Sequence, residues 1–319
     1  MKRRNSSVSK KGIAKNILLL IGLVILGYFI VTSGIIENYQ VLTKVNILLL
    51  ILALILSIGT IVVKIYRWKY LSRSYGQEIT WHESSMVFMP SLFYGNITPG
   101  KVGDLYKAYY MKHRYSMNYL DGVSMLFYER FIELLILFLV GAAIVFVQFR
   151  GITVIALELI LLVLVILLFF YYRAEKFVSL AQRIIVKVPF LSDDKEFNLH
   201  INKMPFMKII SVFIITLISL VLEFIRLWIV ALAFGYVLNP ILLSVFLSLS
   251  IIVGLVSQIP LGIGAMEGSL NVFITSMGVP ATISIAIVLV DRIISMYFAL
   301  VLGFIFSKFS MDALTEVAE

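Results

Sequence analysis

Long apolar runs separated by short polar connections dominate this chain. Runs at 16–36, 45–66, 119–147, 152–172, 207–234 and 281–306 each hold enough apolar residues to cross a bilayer as a helix, which takes about 20 residues for ~30 Å of hydrocarbon. Two further apolar stretches, 84–110 and 241–277, are interrupted near their middles by Pro99-Gly100-Lys101-Val102-Gly103 and Pro260-Leu261-Gly262-Ile263-Gly264. Each reads as two half-helices meeting at a break. A break frees backbone N–H and C=O groups that hydrocarbon cannot satisfy, so it persists at membrane depth only inside protein or against a wet cavity. Re-entrant hairpins meet that condition; interfacial loops between short helices are the alternative.

The breaks also reveal an internal repeat. Pro99 and Gly103 have the spacing of Pro260 and Gly264, and downstream Glu129-Arg130 matches Asp291-Arg292 at nearly the same offset. Arg67-Trp68 has an approximate counterpart in Arg226 and Trp228. The pattern predicts two copies of one unit, about 16–148 and about 152–307, within a single membrane domain over 1–319. Each copy comprises a leading helix, a second helix, a broken hairpin and a long closing helix. Hairpins do not cross, so each unit crosses an odd number of times and the copies take opposite orientations. The expected fold is an all-α integral membrane protein of about six spanning helices plus two broken re-entrant hairpins, arranged as an inverted repeat.

Charge placement agrees. Short cytoplasmic loops collect Lys and Arg, and the N-terminal tail, 64–73, 107–114 and a basic linker at 173–205 then all lie inside, with the N-terminus cytoplasmic. The linker has the spacing of an amphipathic helix on the anionic leaflet, and a plain connection fits it equally. The first run, behind Lys10, Lys11 and Lys15, is too long for a signal peptide and reads as a retained anchor. A rival topology makes 241–259 a full crossing and puts the C-terminus outside, but the matching 84–97 is short and contains Pro90.

Composition removes other classes. Apolar residues make up 61% of the chain and charged ones 14%, with a mean hydropathy of +1.01, far above the roughly 45–50% apolar content of soluble domains. The 319 residues accommodate roughly six to eight spans and little else. The net charge of +9 lies beside apolar runs and not on one basic face, so no nucleic-acid partner is expected. Cysteine is absent, and His82, His113 and His200 lack a second ligand at helical spacing; no metal and no other cofactor is expected. Nucleotide-loop, zinc-protease and serine-hydrolase patterns are missing, which favours a carrier over an enzyme.

The candidate chemistry is ionic. A charge at bilayer depth costs about 2.5–3.5 kcal/mol on insertion scales and therefore faces the protein interior. Glu129, Arg130, Glu133, Asp291 and Arg292 lie in the closing helices, Asn96, Thr98, Lys101 and Asp104 surround the first break, and Gln258 and Glu267 flank the second. They predict a charge-lined route at the midplane that holds a headgroup while its tails stay in lipid. Buried ion pairs that fix helix register are the alternative. Half-helix N-termini, with Gly100, Gly103, Gly262 and Gly264 beside them, suit close approach of a phosphate.

Together, Asn-x-Thr-Pro-Gly-Lys-x-Gly-Asp at 96–104, Tyr128-Glu129-Arg130, Pro-x-Gly-x-Gly-x-x-Glu ending at Glu267, and Asp291-Arg292 resemble the transmembrane domain of lysylphosphatidylglycerol synthases over nearly the whole chain. In the two-part synthases that domain is the flippase that moves aminoacylated phosphatidylglycerol outward. The transferase part has no counterpart in these residues, so the resemblance implies transport without synthesis. It carries over 96–104, Glu129-Arg130, 262–267 and Asp291-Arg292 as the translocation region. The expected partner is a lipid of the cell membrane, whether anionic, aminoacylated or polyprenyl-linked. The competing reading is a scaffold for a separate glycosyltransferase or lipid synthase, docked on the basic linker.

Overall fold

A computed structural model describes residues 10–32, 40, 43, 45–148 and 204–318, and everything regular in them is helical. The predicted span 152–172 and nearly all of the linker 173–205 lie outside the described residues. The first unit contains α1 (Lys10–Thr32), α2 (Ile47–Ser74), α3 (Trp81–Ile97), a 3-10 segment over Pro99–Leu105, α4 (Tyr106–Tyr115) and α5 (Tyr119–Gln148). The second contains α6 (Phe206–Ala233), α7 (Pro240–Val256), a 3-10 turn at Pro260–Gly262 and α8 (Ala265–Ser276). It closes with α9 (Ala281–Arg292), a π turn at Ile293–Tyr297 and α10 (Phe298–Ala318). The copies agree in detail: α2 and α6 each have 28 residues, α3 and α7 each have 17.

Local chemistry sets where these elements begin. Asn46 accepts hydrogen bonds from the N–H groups of Leu48 and Leu49 at the start of α2, and Asn239 serves Ile241 and Leu242 at the start of α7. At α3, Thr80 Oγ1 accepts from the Glu83 N–H while the Glu83 carboxylate accepts from the Thr80 N–H. Each cap satisfies N–H groups that the helix leaves orphaned. Among the described residues three helices, Ile47–Ser74, Phe206–Ala233 and Ala281–Ser310, have both the length and the hydropathy for a crossing, and α5 has the length with 30 residues. Exposed Ile47, Leu48, Ile55, Ile214, Ile218 and Val301 give the outer surface the apolar character that lipid covers.

The inversion can be read from contacts between α2 and α6. Asn46 N–H donates to Ala233 O at 3.0 Å, Arg67 Nη1 to Thr216 Oγ1 at 3.1 Å, and Lys208 Nζ to Ser74 O at 3.4 Å. The start of each helix therefore meets the end of the other, and these equivalent helices run antiparallel. Reciprocal packing follows, with α3 against the second unit's α10 and α7 against the first unit's α5.

Both hairpins are re-entrant. Arg130 and Arg292, which bind the two breaks, each follow the first residue of their helix, Tyr119 and Ala281, by eleven positions. At 1.5 Å per residue that is roughly 16 Å, about half of the ~30 Å core. The first hairpin enters from the face carrying Lys69, Arg73, Lys112, Arg114 and Lys208, and the second from the face of Gly235–Asn239 and Gly278–Pro280, two segments without a charged residue. Ser310 of α10 donates to Met86 O near the start of α3, so the chain's last helix returns to the basic face. The rival topology with 241–259 as a complete crossing is thereby corrected: α7 ends at Val256, where the chain turns back.

Two expectations about charge also change. Helix α2 runs to Ser74, past the expected end at 66, and Lys64 and Arg67 belong to the span and not to a cytoplasmic loop. Lys107 is 1% exposed and likewise leaves the basic rim for the interior.

Candidate functional site

The same backbone turn builds both breaks. Gly100 and Lys101 have φ of 64° and 54°, and the residues at the equivalent places, Leu261 and Gly262, both have φ of 63°. Two successive left-handed residues reverse the chain at each tip, with glycine first in one copy and second in the other. The partner residue carries the strain that a Cβ meets there. Pro99 and Pro260 open the turns, where a missing N–H costs nothing. Thr98 Oγ1 accepts from the Gly103 N–H at 2.8 Å and donates to Tyr94 O; its role is to hold the turn together. Gly103 lies so close to the Tyr94 carbonyl that a side chain would collide with α3.

Adjacent charged residues on the closing helices point to different partners. Glu129, 1% exposed, accepts from Arg67 Nη2 at 2.6 Å and from Lys107 Nζ at 2.8 Å. Arg130 instead binds Asp104, and its Nη1 reaches Glu133 at 2.9 Å. Arg67 lies 3.8 Å from Glu133 and so links the two pairs. Lys107 Nζ also lies over the rings of Phe88 and Trp68, at 4.5 and 4.9 Å. Lys64 pairs with Glu223 across α2 and α6 at 2.6 Å. Glu129 and Glu133 both line a second small cavity beside the first tip, and two buried cations hold Glu129.

The second unit repeats this scheme with fewer parts. Asp291 accepts from Arg226 at 2.9 and 3.3 Å, as Glu129 does from Arg67. Arg292 donates to Glu267 at 2.7 Å and to Leu261 O at 2.6 Å, which ties α9 to the tip. Glu267 also accepts from the Gly264 N–H at 2.8 Å. Each oxygen of that carboxylate thus has one partner, the Gly264 N–H on one side and Arg292 on the other.

The two tips meet. A Cβ on Gly100 would stand 2.5 Å from Gln258 Oε1, and a small cavity between the hairpins is lined by Asn96, Thr98, Lys101, Gln258, Gly262 and Arg292. Beside it a groove of about 490 Å³ runs out between the first tip, α5 and α7. Lys101, Asp104, Arg130, Glu133 and Gln258 form its polar end, and Leu105, Val123, Leu126, Phe127, Leu134 and Val256 its apolar walls. No cluster of metal-ligating side chains occurs among the described residues. Of the sequence candidates, Asn96, Lys101, Asp104, Arg130, Glu133, Gln258 and Arg292 converge on the tips, while Glu129 and Asp291 lie behind them as counter-ions. Sequence reasoning missed Lys64 and Lys107 as members. The available signal was charge balance, since buried carboxylates need buried cations.

The fold and the site thus define a helical membrane protein built as an inverted repeat, with two hairpins whose tips meet. More specifically, residues 17–303 match the model of the lysylphosphatidylglycerol synthase transmembrane region, and the chain belongs to that family. A UPF0104 membrane protein of Methanothermobacter thermautotrophicus is 30% identical over 82% of this chain and 83% of its own length. Another UPF0104 membrane protein, from Methanocaldococcus jannaschii, is 24% identical over 91% of this chain and 93% of its own.

Proposed function

We propose that the chain is a lipid flippase of the cell membrane and not an enzyme, passing a phospholipid or lipid-linked headgroup between the two hairpin tips. The observation that carries this reading is the groove itself. It joins an apolar wall suited to acyl chains with an ionic end at the depth where a crossing headgroup meets its largest desolvation cost. Fixed charges there replace lost water. In an inverted-repeat carrier one unit moves against the other, and the Gly100–Gln258 contact is the place where the path closes.

The N-terminal end of α1 is assigned to the cytoplasm. Gly22 packs at Gly264 and Phe29 at Gly268, so α1 runs parallel to α8 and its basic end reaches the basic face.

The test uses the absence of native cysteine. A G100C/Q258C protein is reconstituted with fluorescent phosphatidylglycerol, and outer-leaflet quenching is followed before and after oxidation. The expected result is transbilayer movement in the reduced protein, arrest on oxidation and recovery with dithiothreitol. Movement that ignores the crosslink rules out a path between the tips. No movement of any lipid by the wild type, with a proton or sodium gradient supplied, favours the scaffold reading.

A further inference from the structure

The ionic cluster around the first hairpin holds Lys64, Arg67, Lys101, Lys107 and Arg130 against Asp104, Glu129 and Glu133 of the first unit and Glu223 of the second. Five cations face four carboxylates. Four of the cations have an ion-pair partner; Lys101 has neither a hydrogen bond nor an ion pair from its side chain, and it lines the groove and both smaller cavities at the tips. In the second unit Arg226 and Arg292 balance Asp291 and Glu267 one for one. Among the described residues the paired hairpins therefore carry one positive charge in excess, and it sits at the polar end of an apolar groove.

We infer that Lys101 is the anion-binding residue of this site and that it selects lipids whose headgroup is a phosphodiester with one net negative charge. The inference rests on the flippase reading and sharpens it. A phosphatidylglycerol-type or polyprenyl-phosphoglycosyl headgroup brings the site to neutrality. A zwitterionic headgroup leaves the excess charge in place, and a lysylated one, with two ammonium groups and one phosphate, adds to it. Like charges in a poorly hydrated site repel strongly. The carboxylates that could receive an ammonium group, Asp104 and Glu133, are already held by Arg130. The apolar walls make a membrane lipid, and not free phosphate, the source of the anion.

Binding can be read separately from transport. Purified wild-type protein, K101Q and K101R are titrated in detergent with phosphatidylglycerol, phosphatidylcholine and lysylphosphatidylglycerol, following tryptophan fluorescence, and the same proteins are assayed for flipping. The expected result is at least tenfold tighter binding of phosphatidylglycerol than of the other two, lost in K101Q and kept in K101R. Equal affinity for lysylphosphatidylglycerol, or a preference unchanged in K101Q, overturns the inference whether or not lipid is flipped. Inorganic phosphate binding as tightly as the lipid would assign the site to a soluble anion and overturn it as well. Selective binding without flipping sustains the anion site and removes the flippase reading instead.

Discussion

The two halves of the centre share a plan and differ in what fills it. In each, an arginine of the second helix holds an acid of the closing helix, Arg67 with Glu129 and Arg226 with Asp291, and the next arginine reaches the hairpin break. In the first half Lys107 adds a second cation to the buried acid, whereas its counterpart by position is Gly268, packed under Phe29 of α1. Among the described residues Val102 at the first break is 59% exposed, whereas the equivalent Ile263 at the second is 6% exposed and lies under α1. Among the described residues a duplicated frame thus holds a cationic half and a neutral half. The frame is common to both, and under the proposed flippase reading the differences are what would set selectivity.

The largest effect comes from unbalancing the buried acids. E129Q strips Lys107 of its carboxylate partner and leaves Arg67 only Glu133, 3.8 Å away, and breaking a buried pair costs about 3–5 kcal/mol. D291N strands only Arg226, which the asparagine carbonyl still serves, and the expected loss is smaller. Removing the extra cation restores part of the stability, so E129Q/K107M is expected to melt above E129Q in detergent. Equal losses for E129Q and D291N would show that the asymmetry has no energetic weight. These variants report on stability first, and lost transport in them does not identify a headgroup contact.

A smaller effect tests the covering of the second break. On the cysteine-free chain, V102C is expected to react with N-ethylmaleimide at least tenfold faster than I263C. A Cβ on Gly22 already stands 2.5 Å from Ile263 O, so G22L overpacks the contact, at a cost of about 1–3 kcal/mol, and should raise I263C labelling. Comparable rates for V102C and I263C on the otherwise unchanged chain would mean that both breaks are equally accessible.

Much of this was legible in the sequence because the signals were redundant. The length of the apolar runs marked 45–66, 207–234 and 281–306 as spanning helices, and Pro99-x-x-x-Gly103 with Pro260-x-x-x-Gly264 located both turns to the residue. Partner choice was not legible. Glu129-Arg130 and Asp291-Arg292 look like ion pairs in the sequence, yet neighbours on a helix are turned about 100° apart and cannot share a face. Lys64, Arg67 and Lys107 looked like basic flanks because hydropathy registers a charge but not the counter-charge that brings it inside. The cover over Ile263 is a close helix contact made possible by Gly22, Gly264 and Gly268, and no periodicity encodes it.

The smallest effect concerns the place where the halves meet. Lys64 and Glu223 are 159 positions apart, the same shift that carries Ile47, the first residue of α2, onto Phe206, the first residue of α6. They are equivalent positions touching each other across the pseudo-two-fold axis. If the two units exchange conformations during transport, the off-axis pairs trade environments, while a contact between equivalents is the same before and after. This pair is therefore a pivot and not a gate. Its side chains are 19% and 13% exposed, so partial hydration weakens it and a coupling energy of about 1 kcal/mol is expected. K64E and E223K should each lower the melting temperature slightly, and K64E/E223K should recover it with transport intact. A double reversal that folds normally but stops transport would make the sign of each charge functional and would place the pair in the lipid path.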